Sequence, residues 1–409
     1  MKFQAPRGTN DVLPSEQPLW QRATGTLAEV AETYGYRRIL TPVFEEAELF
    51  LRTSGEGSDI VQKEMYVFED RSGRKLALRP EGTAPICRAY LEHGMQREPQ
   101  PVKLYTQATM YRYAAPQRGR YREHWQQSVE AIGSSDPAVD AELIHLYTEV
   151  LRRLSVTQWE LELNSIGDAN CRPAYLERLN AWLDEHADAL DDDARQKRST
   201  SPLRVFDVSK PEVRKALAEA PKIGESLCAE CEAHFAAVRR YLDAYGVEYR
   251  LEPTLVRGLD YYTRTTFEFL AEALGAQLSL SGGGRYDYLI EEIGGPPTPA
   301  VGFASGIERI VLTLEQQDVQ VPSPDIEVFF AVEDKGARPE VLAALAELRR
   351  AGRAADTDYA GRSLKGQLTQ AGRLGARVTV IAREGGITVR RAGEKDVEVA
   401  SLDEALKLV

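Results

Sequence analysis

Charged and hydroxylated side chains interrupt otherwise apolar, strand-like sequence in four places. The first is Leu78-Arg79-Pro80-Glu81-Gly82-Thr83. The second is Met110-Tyr111-Arg112-Tyr113, continued by Pro116 to Glu123 and by Gln126 to Glu130. The third runs from Leu255 through Arg257, Asp260, Tyr261 and Tyr262 to Arg264, and the fourth is Gly302-Phe303-Ala304-Ser305-Gly306-Ile307-Glu308-Arg309. A strand period of two sets Gln126, Ser128 and Glu130 on one face. A carboxylate inside a sheet needs partners, because leaving a charge unpaired away from water is costly. Any one segment alone reads as a surface salt bridge. Four of them read as a ligand site.

Other chemistry-bearing patterns are weaker. The chain has no GxxxxGK[ST], HExxH, GxSxG or full GxGxxG. Ser281-Gly282-Gly283-Gly284 alone is a tight strand turn. Cys228-x-x-Cys231-x-x-His234 has metal-binding residue types. Its cysteines, however, continue into Phe235, Val238, Leu242 and Tyr245 at helical spacing, and no second CxxC closes a site. They are expected to be structural, and no metal site is expected. His93 stands at a helix end, and His145 and His186 are expected to be solvated.

These segments need elements to position them. Ser15 to Tyr34 has the apolar spacing of a helix, closed by Gly35. The following strand runs to Thr41, and Pro42 marks it as an edge or interface strand. Met65–Phe68 and Lys75–Leu78 read as strands around the turn at Asp70–Gly73. Thr83 to His93 reads as a helix, Leu104 to Tyr113 and Glu123 to Ile132 as strands. Asp136 caps a further helix with Pro137 at its first position. Residues 171–250 turn helical and acidic and read as an insertion. Strand character returns at Tyr249–Val256, Thr263–Leu270 and Gln277–Leu280, before a helix from Ile307. Val321 to Asp325 is a proline-containing linker. Beyond it strands and helices alternate at Ile326–Val332, Pro339–Ala351, Ser363–Leu374 and Val378–Ala382, an α/β unit. The expected domains are therefore 1–170 and 251–320 as one core in two parts, 171–250 inserted, and 325–409 at the end.

Composition bounds the function. At 409 residues and 43% apolar content the chain can build several cores, and 28% charge argues against wholesale disorder. No apolar run can span a bilayer, and Met1 to Pro14 lacks a signal core, so neither a membrane nor export is expected. Four cysteines suit a reduced, cytoplasmic protein. The net charge of −12 argues against a non-specific nucleic-acid coat. It is unevenly spread: residues 325–409 are neutral, and Arg338 to Arg391 holds eleven basic against five acidic side chains. That basic centre could meet a polyanion, although solvated helix faces commonly carry such runs.

Together the four segments resemble the signatures of histidyl-tRNA synthetase, a class II aminoacyl-tRNA synthetase. Tyr34 to Phe50 with Pro42 resembles the dimer-interface motif, the Arg112 hairpin the second class motif, and Gly302 to Arg309 the third. Arg257 to Phe269 and Ser281 to Leu289 resemble two histidine-specific signatures. Gly361 to Ile381 resembles the anticodon-binding domain. The resemblance implies a mixed, mostly antiparallel class II sheet flanked by helices, an α+β core with a helical insertion and a C-terminal α/β domain. It implies a homodimer that activates L-histidine with ATP and Mg²⁺ and transfers it to tRNA(His).

By that resemblance Arg112 holds the α-phosphate and Arg257 bridges carboxylate and phosphate; these two are the catalytic residues. Arg309 and Arg120 bind the outer phosphates, Arg309 also stacking on adenine, and Glu308 completes the ATP site. Glu81, Thr83 and Gln126 hold the α-ammonium, and Glu130 with Tyr262 reads the imidazole nitrogens. Tyr261 and Tyr286 line the same pocket, and Gly282 to Gly284 let the backbone approach the ligand. Two positions depart from the pattern. Ala114 stands where a glutamate usually contacts the adenine amino group, and Trp125 where histidine is common. A regulatory subunit of ATP phosphoribosyltransferase shares this core as a histidine sensor, but with the third segment degraded and the last domain missing. Both are present here.

Overall fold

The computed structural model describes residues 3–55, 58–208, 210–273, 276–321 and 326–409. The chain divides into two compact units, residues 1–321 and 322–409. The sequence-predicted linker at 321–325 lies, except for Val321, outside the described residues.

The first unit is built on an eight-stranded sheet. Its spatial order is Arg37–Arg38, Val102–Tyr111, Glu123–Ile132, Ala300–Gly306, Ala276–Arg285, Thr263–Ala273, Trp159–Ser165 and Arg250–Leu251. The two outermost pairs are parallel and the inner pairs antiparallel. Strand alternation divides the sheet into two unlike faces. Val129, Ala131, Leu161, Leu163, Phe267, Phe269, Val301 and Phe303 point one way into a single core. There they meet Leu27 and Val30 of helix Gln17–Thr33, Leu143 and Leu146 of Pro137–Arg153, Val238 and Leu242 of Ala229–Tyr245, and Ile310 and Leu314 of Ile307–Gln316. Each fully buried side chain of this size contributes about 1.5–3 kcal/mol.

The opposite face carries small and polar residues. Register pairs Glu130 with Gly302, Ser128 with Ala304 and Gln126 with Gly306. Gly282 lies between Ala304 on one side and Glu268 on the other. This face carries the site.

The connections follow local chemistry. Asp136 accepts from the Ala138 N–H at 2.9 Å, with Pro137 as the first helical residue. The Arg37–Arg38 strand is indeed at the edge, and past Pro42 the chain enters a separate three-stranded sheet, Phe44–Glu46, Lys75–Leu78 and Val67–Glu69. Strand Trp159–Ser165 has no counterpart in the sequence reading. The strand expected over Tyr249–Val256 is only Arg250–Leu251, because it pairs at the sheet's margin with two residues of its neighbour. Within residues 171–250, Tyr175, Leu179, Leu183, Val205, Leu217 and Ile223 form a small core of their own. The final helix of that stretch instead joins the main core.

The second unit has the sheet order Ala355–Thr357, Val328–Val332, Val378–Arg383, Gly386–Arg391, Val397–Val399. The first three strands are parallel and the rest antiparallel. Val328, Phe330 and Val332 face helices Arg338–Arg350 and Leu402–Leu408, while Phe329 and Ala331 face Leu364–Arg373. Covering both faces explains why its central strand is continuously apolar.

Candidate active site

The polar face of the large sheet opens into a cavity of about 310 Å³. Glu81, Thr83, Arg112, Arg120, Gln126, Arg257, Tyr261, Tyr262, Glu308 and Arg309 all line it. The four segments singled out in the sequence therefore meet.

Each arginine is aimed by its backbone surroundings. Arg112 continues the antiparallel hairpin, its N–H bonded to the Arg122 carbonyl at 2.8 Å. Its Nε donates to the Pro80 carbonyl at 2.7 Å. Arg309, in the first turn of helix Ile307–Gln316, donates from Nε to Gly119 at 3.1 Å and from one terminal nitrogen to Ser279 at 2.7 Å. The first of these contacts pins the loop that carries Arg120, itself paired with Glu64 at 2.7 Å. Arg257 meets Glu268 at 3.2 Å, and its buried Nε has no hydrogen-bond partner among the described residues. A Cβ on Gly282 would come within 2.1 Å of the Arg257 guanidinium. The glycine therefore makes room for the arginine, where the sequence reading reserved that space for the ligand.

The electrostatics suit an anion. Burial lowers the pKa of both Arg112 and Arg309, and Arg112 lowers that of Arg309 further. Around Arg257 burial works the same way, but Glu268, with Tyr262 and Asp207, outweighs it and holds the proton firmly. Half-buried, mutually repelling guanidinium groups are relieved by phosphate or carboxylate oxygens.

The carboxylates have distinct settings. Glu81 accepts from the backbone N–H groups of Thr83 at 2.6 Å and Ala84 at 3.0 Å, at the start of helix Thr83–Glu92. Burial still raises its pKa. Glu308 accepts from the Trp125 N–H at 2.7 Å, and burial lifts it to about 7.

Glu130 and Tyr286 are not among the lining residues. Glu130 stands one layer deeper, accepting from the Thr83 hydroxyl at 2.7 Å and the Tyr286 hydroxyl at 2.5 Å. Burial raises its carboxyl to about 8. A Cβ on Gly302 would lie 1.7 Å from its Oε2, so the small-residue row is what admits this side chain. The structure thus separates two groups that the sequence reading placed directly in the pocket. Gln126 does face it, donating to Ser128 at 2.9 Å. Arg79 lies elsewhere, tying Thr109 and Thr41 carbonyls together at 2.8 Å.

Several lining residues are not among those the sequence patterns single out. His124 lies among Arg112, Arg309 and Arg120, and burial followed by these charges pushes it down to about 3, so it stays neutral. Arg204 and Asp207 come from the helical stretch after residue 171, and Arg204 pairs with Asp59 at 3.3 Å. Only the chain path brings that stretch to the cavity. Strand alternation could have found His124, which faces the same way as Gln126. Ala114 lines the cavity too, as a buried wall. Trp125 is turned away and packs edge-on to Trp20, centroids 6.4 Å apart. In the cysteine motif, His234 bonds to Asp140 at 3.2 Å and does not join the cysteines.

An antiparallel sheet whose small-residue face gathers three motif arginines, joined to a C-terminal α/β domain, defines a class II aminoacyl-tRNA synthetase. Comparison with known proteins narrows this. A family model described as Histidyl-tRNA synthetase matches residues 8–310. The chain is 48% identical over 383 residues to the histidine--tRNA ligase of Dehalococcoides mccartyi, covering 93% of this chain and 92% of that one. It is 44% identical to that of Caldanaerobacter subterraneus subsp. tengcongensis over 99% of this chain and 98% of the relative. The apo histidyl-tRNA synthetase of S. aureus superposes with a TM-score of 0.84 at 35% identity, covering 100% of this chain and 99% of that one. The chain belongs to the histidyl-tRNA synthetase family.

Proposed function

We propose that the cavity forms histidyl-adenylate from L-histidine and ATP and then passes the histidyl group to the 3′ end of tRNA(His). The observation that carries this is the convergence of Arg112, Arg257 and Arg309 in one cavity with Glu81, Gln126 and two tyrosines. The histidine carboxylate attacks the α-phosphorus, the new C–O–P bond forms, and pyrophosphate leaves with the bonding electrons. Two anions must be held in line, which fixed cations achieve without reorganising. Arg112 holds the α-phosphate and Arg257 bridges it to the carboxylate. Arg309 and Arg120 neutralise the outer phosphates. Mg²⁺ arrives with ATP as part of the substrate, and Glu64 and Glu308 are cavity carboxylates that would hold it.

Glu81, Thr83 and Gln126 take the α-ammonium. Glu130 reads the imidazole from the deeper layer, an imidazole nitrogen taking the place of the Thr83 hydroxyl on its carboxyl. Tyr261 and Tyr262 wall the ring. Histidine is thereby separated from apolar isosteres, whose binding would leave these buried groups unpaired. With alanine at 114, the adenine edge is left to backbone groups and to neutral His124.

Residues 325–409 serve as the anticodon-binding domain, residues 1–170 and 251–320 as the catalytic core, and 171–250 as its insertion. The protein works as a cytoplasmic homodimer. Leu40, Val43, Phe44, Val67 and Phe68, around Pro42, form the exposed apolar surface that supports the pairing. No helix among the described residues is long and apolar enough to cross a membrane. The curated relatives at 44–48% identity along nearly the whole chain are ligases by name, so the regulatory-subunit alternative is not better supported. The test is charging of tRNA(His) with labelled histidine. The full chain should charge it, and a chain lacking 325–409 should keep adenylate formation while losing most charging. Undiminished charging by the shortened chain would contradict the anticodon role.

A further inference from the structure

The cysteine motif set aside on sequence grounds is completed from another part of the chain. The ligand-type atoms of Asp168, Cys171, Cys228 and Cys231 all lie within 4.8 Å of one another. Asp168, Cys171 and Cys231 are buried and Cys228 half-buried, and all four cysteines of the chain are free thiols. The partners could not be read as one motif because Cys171 and Cys228 are 57 positions apart. In place of a second CxxC, the chain supplies a carboxylate and a thiol at the same three-residue spacing, Asp168-x-x-Cys171.

We propose that Asp168, Cys171, Cys228 and Cys231 bind one structural zinc ion.

A tetrahedral site with Zn–S distances of about 2.3 Å sets neighbouring sulfurs about 3.8 Å apart, so a contraction of about 1 Å at most closes this one. Three thiolates with one carboxylate favour a thiophilic divalent cation over Mg²⁺ or Ca²⁺. The cluster is braced from outside, as metal ligands usually are. Arg264 holds the Asp168 Oδ2 at 3.2 Å, while Oδ1 lies 3.4 Å from the Cys171 sulfur. Arg264 is itself locked, with φ 49°, by backbone bonds of 2.7 Å to Gly167 and from Ile166. Gly167 has φ +61°, and a Cβ there would sit 3.1 Å from the Cys171 sulfur. Cys228 occupies the N-cap of helix Ala229–Tyr245, where the helix dipole favours a thiolate. Within the cluster, weak sulfur contacts link Cys171 to Asp168 and to the Cys228 N–H. Binding releases the thiol protons to solvent and leaves the cluster with a net negative charge that Arg264 partly offsets.

The placement gives the ion a task. Asp168 and Cys171 lie where the chain leaves strand Trp159–Ser165 for the helical cluster, and Cys228 and Cys231 lie where it returns. One ion would clip both ends of that excursion. Arg172, next to Cys171, donates to the Tyr262 carbonyl, and Arg264 is two residues beyond Tyr262. The clip therefore also supports the tyrosine wall of the cavity from behind.

The test is the metal content of tag-free, full-length protein purified under reducing conditions, by plasma mass spectrometry. About one zinc per chain is expected, with most of it lost in Cys171→Ser and Cys231→Ser. Replacement by Co²⁺ should give the visible absorption of tetrahedral thiolate-bound cobalt, again lost in the variants. The proposal is overturned if the wild-type protein carries no zinc and takes up neither Zn²⁺ nor Co²⁺ while four free thiols titrate. It is equally overturned if the two variants retain the full zinc content, or if a disulfide is found whose reduction restores no metal uptake. Should the variants fail to fold, the wild-type measurements alone decide.

Discussion

Arg257 is the residue whose surroundings commit it most narrowly. It is half-buried, it meets Glu268 at 3.2 Å, and its Nε has no hydrogen-bond partner among the described residues. A donor without a protein partner gains most when charge develops beside it, so the role proposed for Arg257 predicts an effect on the rate. Arg257→Ala should lower adenylate formation by about a hundredfold or more, with a far smaller change in histidine affinity. An equal loss in both would reduce Arg257 to simple binding. Glu130 makes a different prediction. Its pKa rises from 4.5 to about 8 because burial disfavours the charged form. The folded protein therefore binds a proton there that the unfolded chain has released, and stability falls as pH rises from about 4.5 to about 8. Without histidine, the melting temperature should drop across that window. Glu130→Gln, which stays neutral, should flatten the drop, and an unchanged slope would contradict the assignment.

At the scale of elements, a fully buried ion pair ties a strand of the cavity sheet to the helices behind it. Arg285, at the end of strand Ala276–Arg285, meets Asp140 of helix Pro137–Arg153 at 2.5 Å, and neither side chain is exposed. His234 of helix Ala229–Tyr245 joins the same carboxylate. Burial opposes the Asp140 charge, yet Arg285 and His234 hold the carboxyl well below its usual range. Removing one partner strands the other, so Asp140→Ala should cost about 3–5 kcal/mol in denaturant unfolding. A loss under about 1 kcal/mol would show that the pair does not anchor these elements.

The elements most legible in sequence were those with a strong local pattern. Glu123–Ile132 and the helix from Ile307 carry clean periodicities of two and 3.6; the strand agrees at both ends and the helix at its first residue. Trp159–Ser165 was missed because its alternating glutamates look like solvated surface, although Glu162 is buried beside Arg250. The candidate site was legible at some charges standing inside apolar sequence, such as Arg112 and Arg257, while Arg79 in the same kind of setting lies elsewhere. It was not legible at Arg204 or in the Asp168 cluster, where contacts between distant segments, absent from any local pattern, create the environment. Depth was equally hidden. Sequence put Glu130 on the right face of its strand, while only packing shows Thr83 standing between it and the cavity.

For the whole molecule, one sheet does two jobs. Its apolar face holds the core together, and on its small-residue face Gly282 makes room for the Arg257 guanidinium and Gly302 for the Glu130 carboxylate. The sheet's small side chains at 282, 304 and 306 therefore line the cavity in which the proposed chemistry takes place. The most direct test is ATP–pyrophosphate exchange by the full chain with Mg²⁺, measured with and without L-histidine and with other amino acids. Exchange that appears with L-histidine and not with phenylalanine or glutamine is the expected result. No exchange above background, or exchange indifferent to which amino acid is supplied, would contradict adenylation in this cavity.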